Sequence, residues 1–287
     1  MADIWLDGAF VAAERAVAAD DRGLLLADGV FDTSLVLGGT VFCADAHLDR
    51  LAAAASRLEI PASRRDLADA MDALARRQEN GSIRLTLTRG SGPRGLGFPP
   101  VPKPTLLGAS APLAPGVMFA PLRLALSPIR RNETSPTAQL KSLAYLDAVL
   151  AQRAAQQEGA DEALFLNSVG RVACTALANL FLLTGDELAT PPLDDGALDG
   201  ITRRWVLAHA ADFGLTPRER PLALDDLTRG SVFVTNSLRL IAPATLPGRP
   251  EGLIEPRIGR LMHGLCTAIA AECGVDPRDL GATIDPG

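Results

Sequence analysis

The chain has 287 residues, 47% of them hydrophobic and 22% charged, with a formal net charge of -6. That length exceeds one typical core and gives two domains or one large one as the expectation, while the acidic balance argues against a protein that binds nucleic acid by neutralising phosphates. No apolar run approaches the roughly 18 residues that span a bilayer and no charged-then-apolar leader pattern is seen, so no membrane association and a cytoplasmic location are expected.

In chain order, "DIWLDGAFV" and "TSLVLGGTVFC" read as strands around glycine turns. "HLDRLAAAASRL" and "RRDLADAMDALARRQ" read as helices, with Leu48, Leu51, Leu58 and Leu67, Met71, Leu74 as their apolar faces. "GSIRLTLTRGSG" alternates Ile83, Leu85, Leu87 with Arg84, Thr86, Thr88, the pattern of a half-buried strand running into a glycine-rich loop. The small residues and prolines of "GASAPLAPGV", about 108 to 117, suit a linker, and the domains are set at 1–112 and 118–287 around a linker at 113–117. Beyond it, "LRLALS", "EALFLN", "LANLFLL" and "SVFVTN" read as strands, and "ITRRWVLAHAADFG" and "RIGRLMHGLCTAIAAEC" as helices, the last with Ile258, Leu261, Met262, Leu265 and Ile269 on one face. Strands and helices interleave in both halves, an α/β or α+β arrangement of two domains.

Cys43, Cys174, Cys266 and Cys273 show no C-x-x-C spacing and His47, His209 and His263 are scattered, so neither a metal site nor a disulfide framework is expected. His47 and His263 fall on helical patterns, where a satisfied structural histidine is the plainer reading. Lysine is the better candidate for proton transfer. Of the 28 Lys plus Arg only Lys103 and Lys141 are lysine, which leaves 26 arginines. Arginine serves solubility and pairing, but only lysine readily gives up its proton and attacks a carbonyl. Lys103 lies in the proline-rich "PPVPKPT" and reads as a solvated residue. Lys141 precedes Leu143, Leu146, Val149 and Leu150 at helical spacing and is placed at the entrance to a buried helix.

Three small loops complete the inventory. "LDGIT" precedes a helix, so the backbone N–H groups of Ile201 and Thr202 form a potential anion site, although every helix start offers donors. "VTNSLR" brings two hydroxyls and an amide to a strand end, and "HLDRL" carries Arg50, whose plain reading is a solvated charge.

Taken in order, "DRGLLLADGVFDT", "HLDRL", "TRGSGPRGLG", "LKSLAYLDAVLAQ", "ADEALFLNSVGRV", "ANLFLLTGDELATPPLDDGALDGITRRWVL" and "VFVTNSLRLIAP" span nearly the whole chain. This set resembles the fold-type IV, or class IV, pyridoxal-phosphate enzymes: branched-chain aminotransferases, D-amino-acid aminotransferases and 4-amino-4-deoxychorismate lyases. The resemblance implies a two-domain fold with pyridoxal 5'-phosphate between the domains, a homodimer, and Lys141 as the Schiff-base residue. It also implies that Arg50, the backbone of Ile201 and Thr202, and Ser237 hold the cofactor phosphate, and that Tyr145, the single tyrosine, meets the ring phenolate oxygen. A fork of guanidinium donors, two helix-terminal amides and a hydroxyl are chemically suited to a dianion.

One position departs from the family pattern. Where the family usually has a glutamate at the pyridine nitrogen, "GRVACTALANLF" has Cys174, and a thiol cannot hold a pyridinium by charge. "TRGSGPRGLG" and Asn236 look most like the lyases, whose product becomes aromatic and so tolerates a weak electron sink. The lyase reading makes Lys141 the base that takes the ring proton and then protonates the departing enolpyruvyl group. Arg84, Arg89 and Arg94 are candidates for the substrate carboxylates, with one of the three expected to serve, and Asn236 and Thr33 are expected in the pocket wall. The alternatives are an aminotransferase acting on D-amino acids or branched-chain L-amino acids, and a non-catalytic pyridoxal-phosphate-binding homologue.

Overall fold

The computed structural model describes residues 3–114, 116–246 and 255–284. The chain divides into two compact units, one of 1–114 with 140–144 and 272–274, the other of 115–139, 145–271 and 275–287.

The first unit contains β1 (Asp3–Leu6), β2 (Ala9–Ala12), α1 (Arg22–Leu26), β3 (Gly29–Leu37), β4 (Thr40–Val41), α2 (Ala44–Arg57), α3 (Arg64–Ala75), β5 (Gly81–Thr88) and β6 (Thr105–Pro112). Its strands form one antiparallel sheet in the order β2-β1-β6-β5-β3-β4. Period-two alternation divides the sheet chemically. Val30 and Val36 of β3 and Ile83, Leu85 and Leu87 of β5 pack with Leu48 and Leu51 of α2 and Leu67, Met71 and Leu74 of α3. The opposite face carries Phe31 and Thr33, whose register partners on β5 are Thr86 and Arg84.

The stretch expected to begin a linker at 108 is strand as far as Pro112, with Gly108 to Pro112 paired to Leu85 through Gly81. The small residues there serve close packing. A Cβ on Gly108 would lie 2.5 Å from Leu74 Cδ1, so this rung lets α3 lie directly on the sheet.

The second unit contains β7 (Leu122–Leu126), α4 (Leu146–Gln157), β8 (Glu162–Leu166), β9 (Val172–Thr175), β10 (Asn179–Thr184), β11 (Glu187–Thr190), α5 (Ile201–His209), β12 (Thr216–Glu219), β13 (Ser231–Asn236), β14 (Leu240–Thr245) and α6 (Pro256–Cys273), whose last two residues count with the first unit. Its sheet runs β12-β11-β10-β13-β14-β7-β8-β9, with parallel pairs at β11/β12, β14/β7 and β7/β8. Phe181 and Phe233 stack at 5.0 Å between ring centroids on adjacent strands. On α6 the expected face of Ile258, Leu261, Met262, Leu265 and Ile269 is buried.

The helix after Lys141 differs from expectation in both start and face. It begins at Leu146, and Leu146, Val149 and Leu150 are 69%, 59% and 50% exposed. Its buried face is made of alanines: Ala151 and Ala155 pack with Phe165 and Ala163 of β8, because only small side chains allow a helix to lie that close to the strand. Among the described residues no helix is long and apolar enough to cross a membrane.

Candidate active site

Lys141 is fixed by backbone pairing rather than by a helix. Phe31 N–H donates to Lys141 O at 2.8 Å, Leu143 N–H donates to Gly29 O at 3.0 Å, and Val30 and Ser142 form a bridge, so 141–143 is an added rung on β3. Gly29 makes the approach possible: a Cβ there would lie 2.7 Å from Leu87 O and 2.8 Å from Leu143 Cδ1. The residue is half-buried, with Nζ 4.4 Å from the Phe31 ring centroid. Burial and the charge of Arg50 push the amine down to about 8, Arg84 adding to the effect and Asp32 opposing it. An amine in this range has a substantial neutral fraction near physiological pH.

Arg50 is not a solvated charge. From α2 its Nε donates to Asp32 Oδ2 at 2.8 Å and its Nη2 to Asp32 Oδ1 at 2.9 Å, a fork that fixes the guanidinium plane. His47, one turn earlier, is buried with Nδ1 2.6 Å from Asp32 Oδ1. Burial of Asp32 is outweighed by Arg50 and His47, which hold its carboxyl at about 2. Asp32 therefore remains ionised, and His47 Nδ1 is the donor.

The three candidate arginines separate by their contacts. Arg84 is exposed on the Phe31/Thr33 face, its guanidinium 3.6 Å from the Phe31 ring centroid and its Nε donating to Thr86 Oγ1 at 3.3 Å. Arg94 is exposed in the loop after β5. The expectation for Arg89 is corrected: it is buried, donating from Nε and Nη2 to Asp28 and from Nη1 and Nη2 to the carbonyls of Glu59 and Leu58. Those four bonds tie the strand end to the α2 terminus and make it a packing residue. Thr33 is half-buried opposite Arg84 in register.

In the second unit Cys174 is buried on β9, and burial pushes its thiol up, with Glu162 adding to and Arg131 opposing the shift. Glu162, a charged residue inside the otherwise apolar β8, accepts from Thr175 Oγ1 and from Leu177 N–H at 2.8 Å, and its burial raises the carboxyl. The start of α5 has Gly200 as its N-cap with no side-chain cap, leaving Ile201 and Thr202 as buried first-turn residues. A Cβ on Gly200 would lie 2.1 Å from Asn179 Oδ1, so a larger residue there would displace the Asn179 amide that donates to Leu198 O. Thr202 Oγ1 donates to Asn236 O at 3.0 Å and draws the turn containing Ser237 to the α5 terminus. Asn236 Oδ1 accepts from Leu238 N–H at 2.9 Å and Arg239 N–H at 2.7 Å. Its side-chain carbonyl thus shapes that turn. Tyr145 is half-buried at the N-cap of α4.

Sequence reading did not single out Asp32. Its signal was an acid on the core-facing register of β3, which requires a buried cation, and "HLDRL" supplies His47 and Arg50 three residues apart on one helical face. Among the described residues no group of three or more His, Cys, Asp or Glu could hold a metal ion.

Residues 29–246 match the model of the family described as amino-transferase class IV. A Methanocaldococcus jannaschii protein provisionally named a branched-chain-amino-acid aminotransferase is 35% identical over 84% of this chain and 86% of its own. The aminodeoxychorismate lyase of Bacillus subtilis is 31% identical over 84% of this chain and 85% of its own. Among solved structures, a T.th. branched-chain amino acid aminotransferase complexed with N-(5'-phosphopyridoxyl)-L-glutamate superposes with a TM-score of 0.85 at 26% identity, covering 96% of this chain and 95% of that one. Matched by the family model over most of its length, and sharing its fold with a phosphopyridoxyl-bound relative, the chain is an enzyme of the class IV aminotransferase family.

Proposed function

We propose that the enzyme is a 4-amino-4-deoxychorismate lyase that uses pyridoxal 5'-phosphate to release pyruvate and 4-aminobenzoate, a step of folate biosynthesis. The observation that carries this reading is Cys174, a buried thiol kept neutral where the family pattern has a carboxylate. When bound, the cofactor supplies an electron sink for the carbanion-like state that proton removal leaves. A neutral thiol supports that sink weakly, and an elimination whose product gains aromaticity needs it least.

Each unit carries groups that suit such a cofactor. In the first, Lys141 offers a desolvated amine and Arg50 a guanidinium of fixed plane; in the second, α5 offers a first turn capped by glycine and joined through Thr202 to the turn of Ser237. Lys141, Arg50, Tyr145, Cys174, Ile201, Thr202 and Ser237 are the proposed cofactor residues. Lys141 Nζ takes the proton from the substrate ring carbon and returns one to the departing enolpyruvyl group. Arg84 is the arginine best placed for a substrate carboxylate, exposed on the sheet face that bears Thr33 and Phe31. Asn236 is the proposed second wall residue. A homodimer is proposed as the working form, supported by the exposed apolar face of α4.

The second reading is an aminotransferase acting on branched-chain L-amino acids or D-amino acids, favoured by the 35% identity to the Methanocaldococcus jannaschii protein. Cys174→Glu discriminates between them. On the lyase reading this substitution strengthens the sink, so stopped-flow absorbance records faster conversion of the bound cofactor to its amine form with amino acids. An unchanged conversion rate in a folded, loaded variant removes the weak-sink argument.

A further inference from the structure

We propose that Asp32 is a positioning residue of the cofactor site, one carboxylate that aims the Arg50 guanidinium and serves as the counter-charge to the cations acting on Lys141, with His47 holding it from behind. The proposal rests on the preceding reading that Arg50 and Lys141 serve the cofactor. Its basis is geometric. Asp32 is buried between three donors, His47 Nδ1 at 2.6 Å, Arg50 Nε at 2.8 Å and Arg50 Nη2 at 2.9 Å, so both carboxylate oxygens are engaged and the guanidinium plane is fixed from two points. The next residue back along β3, Phe31, donates its N–H to Lys141 O at 2.8 Å and sets its ring beside Lys141 Nζ. One stretch of β3 therefore holds the arginine by a side chain and the lysine by the backbone.

Three charges act on the Lys141 amine from the elements around it, the cations Arg50 on α2 and Arg84 on β5 and the anion Asp32 on β3, and Asp32 is itself held by His47 of α2. An ionised Asp32 favours the ammonium form, whereas Arg50 and Arg84 disfavour it. If Asp32 were lost, two cations would act on Lys141 without that opposing charge. The guanidinium would also lose the partner that orients it.

The chain is suited to a direct test because Lys103→Arg leaves Lys141 as the sole lysine ε-amine. In the full-length, cofactor-free chain carrying that change and labelled with carbon-13 at lysine Cε, NMR follows the Lys141 resonance against pH. Asp32→Asn is expected to lower the Lys141 midpoint by roughly one pH unit and Asp32→Glu to restore most of it. A merely structural residue would change stability and leave the midpoint in place. Where a stranded guanidinium prevents Asp32→Asn from folding, Arg50→Gln and Arg50→Gln/Asp32→Asn make the same comparison without that cation. The midpoint is then expected to be lower in the double variant than in Arg50→Gln. A midpoint that does not move between the members of a folded pair overturns the proposal. Separately, borohydride reduction of Lys141→Ala loaded with pyridoxal phosphate tests the underlying reading. A reducible chromophore retained by that variant would defeat the assignment of Lys141 regardless of what Asp32 does.

Discussion

Two arginines show how the same side chain takes different roles from its surroundings. Arg89 is buried in four hydrogen bonds to Asp28 and two carbonyls, so Arg89→Ala leaves Asp28 with Arg22 alone and strands two backbone acceptors. It is expected to lower stability by about 2–3 kcal/mol, read as a fall in the urea midpoint. Arg84→Ala, at an exposed position, is expected to change stability by less than about 0.5 kcal/mol and to raise KM roughly tenfold through loss of a charged hydrogen bond to substrate. The reverse pattern, with KM moved by Arg89 and stability by Arg84, would reassign both residues. Lys141 gives a pH signature. On the proposed reading Lys141 would hold the cofactor through its neutral amine, and burial with Arg50 brings its titration down to about 8, below the ordinary lysine range. At pH 7 about a tenth is neutral and at pH 9 about nine tenths, so loading of the cofactor-free chain is expected to quicken roughly tenfold across that interval. A rate still climbing steeply above pH 10 would place the amine at its ordinary value.

Helices and strands were legible where side-chain pattern determines them and less so where packing distance does. The alternation around Ile83, Leu85 and Leu87 identifies β5 because a half-buried strand has no other way to separate its faces. For α4, leucine spacing identified a helix but not its buried side, since Ala151 and Ala155 form the close contact and carry little hydrophobic signal. The leucines are consequently left outward, and Leu146, Val149 and Leu150 make one apolar stripe at helical spacing. Leu150→Asp is expected to convert a dimer into monomers of unchanged secondary structure, read by light scattering with circular dichroism. Dimers that persist in the variant would place the subunit contact elsewhere. At β6, proline and small residues gave the appearance of a linker, but Gly108 is small because Leu74 lies against it.

For the whole molecule, scarcity of a residue type was the most informative property of the sequence. In a chain of 26 arginines, a lysine at 141 pointed to chemistry that guanidinium cannot perform, and it is the proposed catalytic residue. What remained hidden is the convergence of Asp32, His47 and Arg50, because a side-chain cluster depends on which strand register faces which helix turn. Family membership places the chain among enzymes that share this fold across two reactions, and on the proposed reading the choice between them turns on how weak an electron sink a neutral Cys174 would leave. The most direct measurement supplies 4-amino-4-deoxychorismate to the purified, pyridoxal-phosphate-loaded enzyme and follows 4-aminobenzoate and pyruvate. The proposed lyase is expected to form both rapidly and in equal amounts, while a panel of D- and L-amino acids converts its cofactor to the amine form only slowly. Fast conversion by one amino acid with no 4-aminobenzoate formed would contradict the lyase and make the enzyme an aminotransferase.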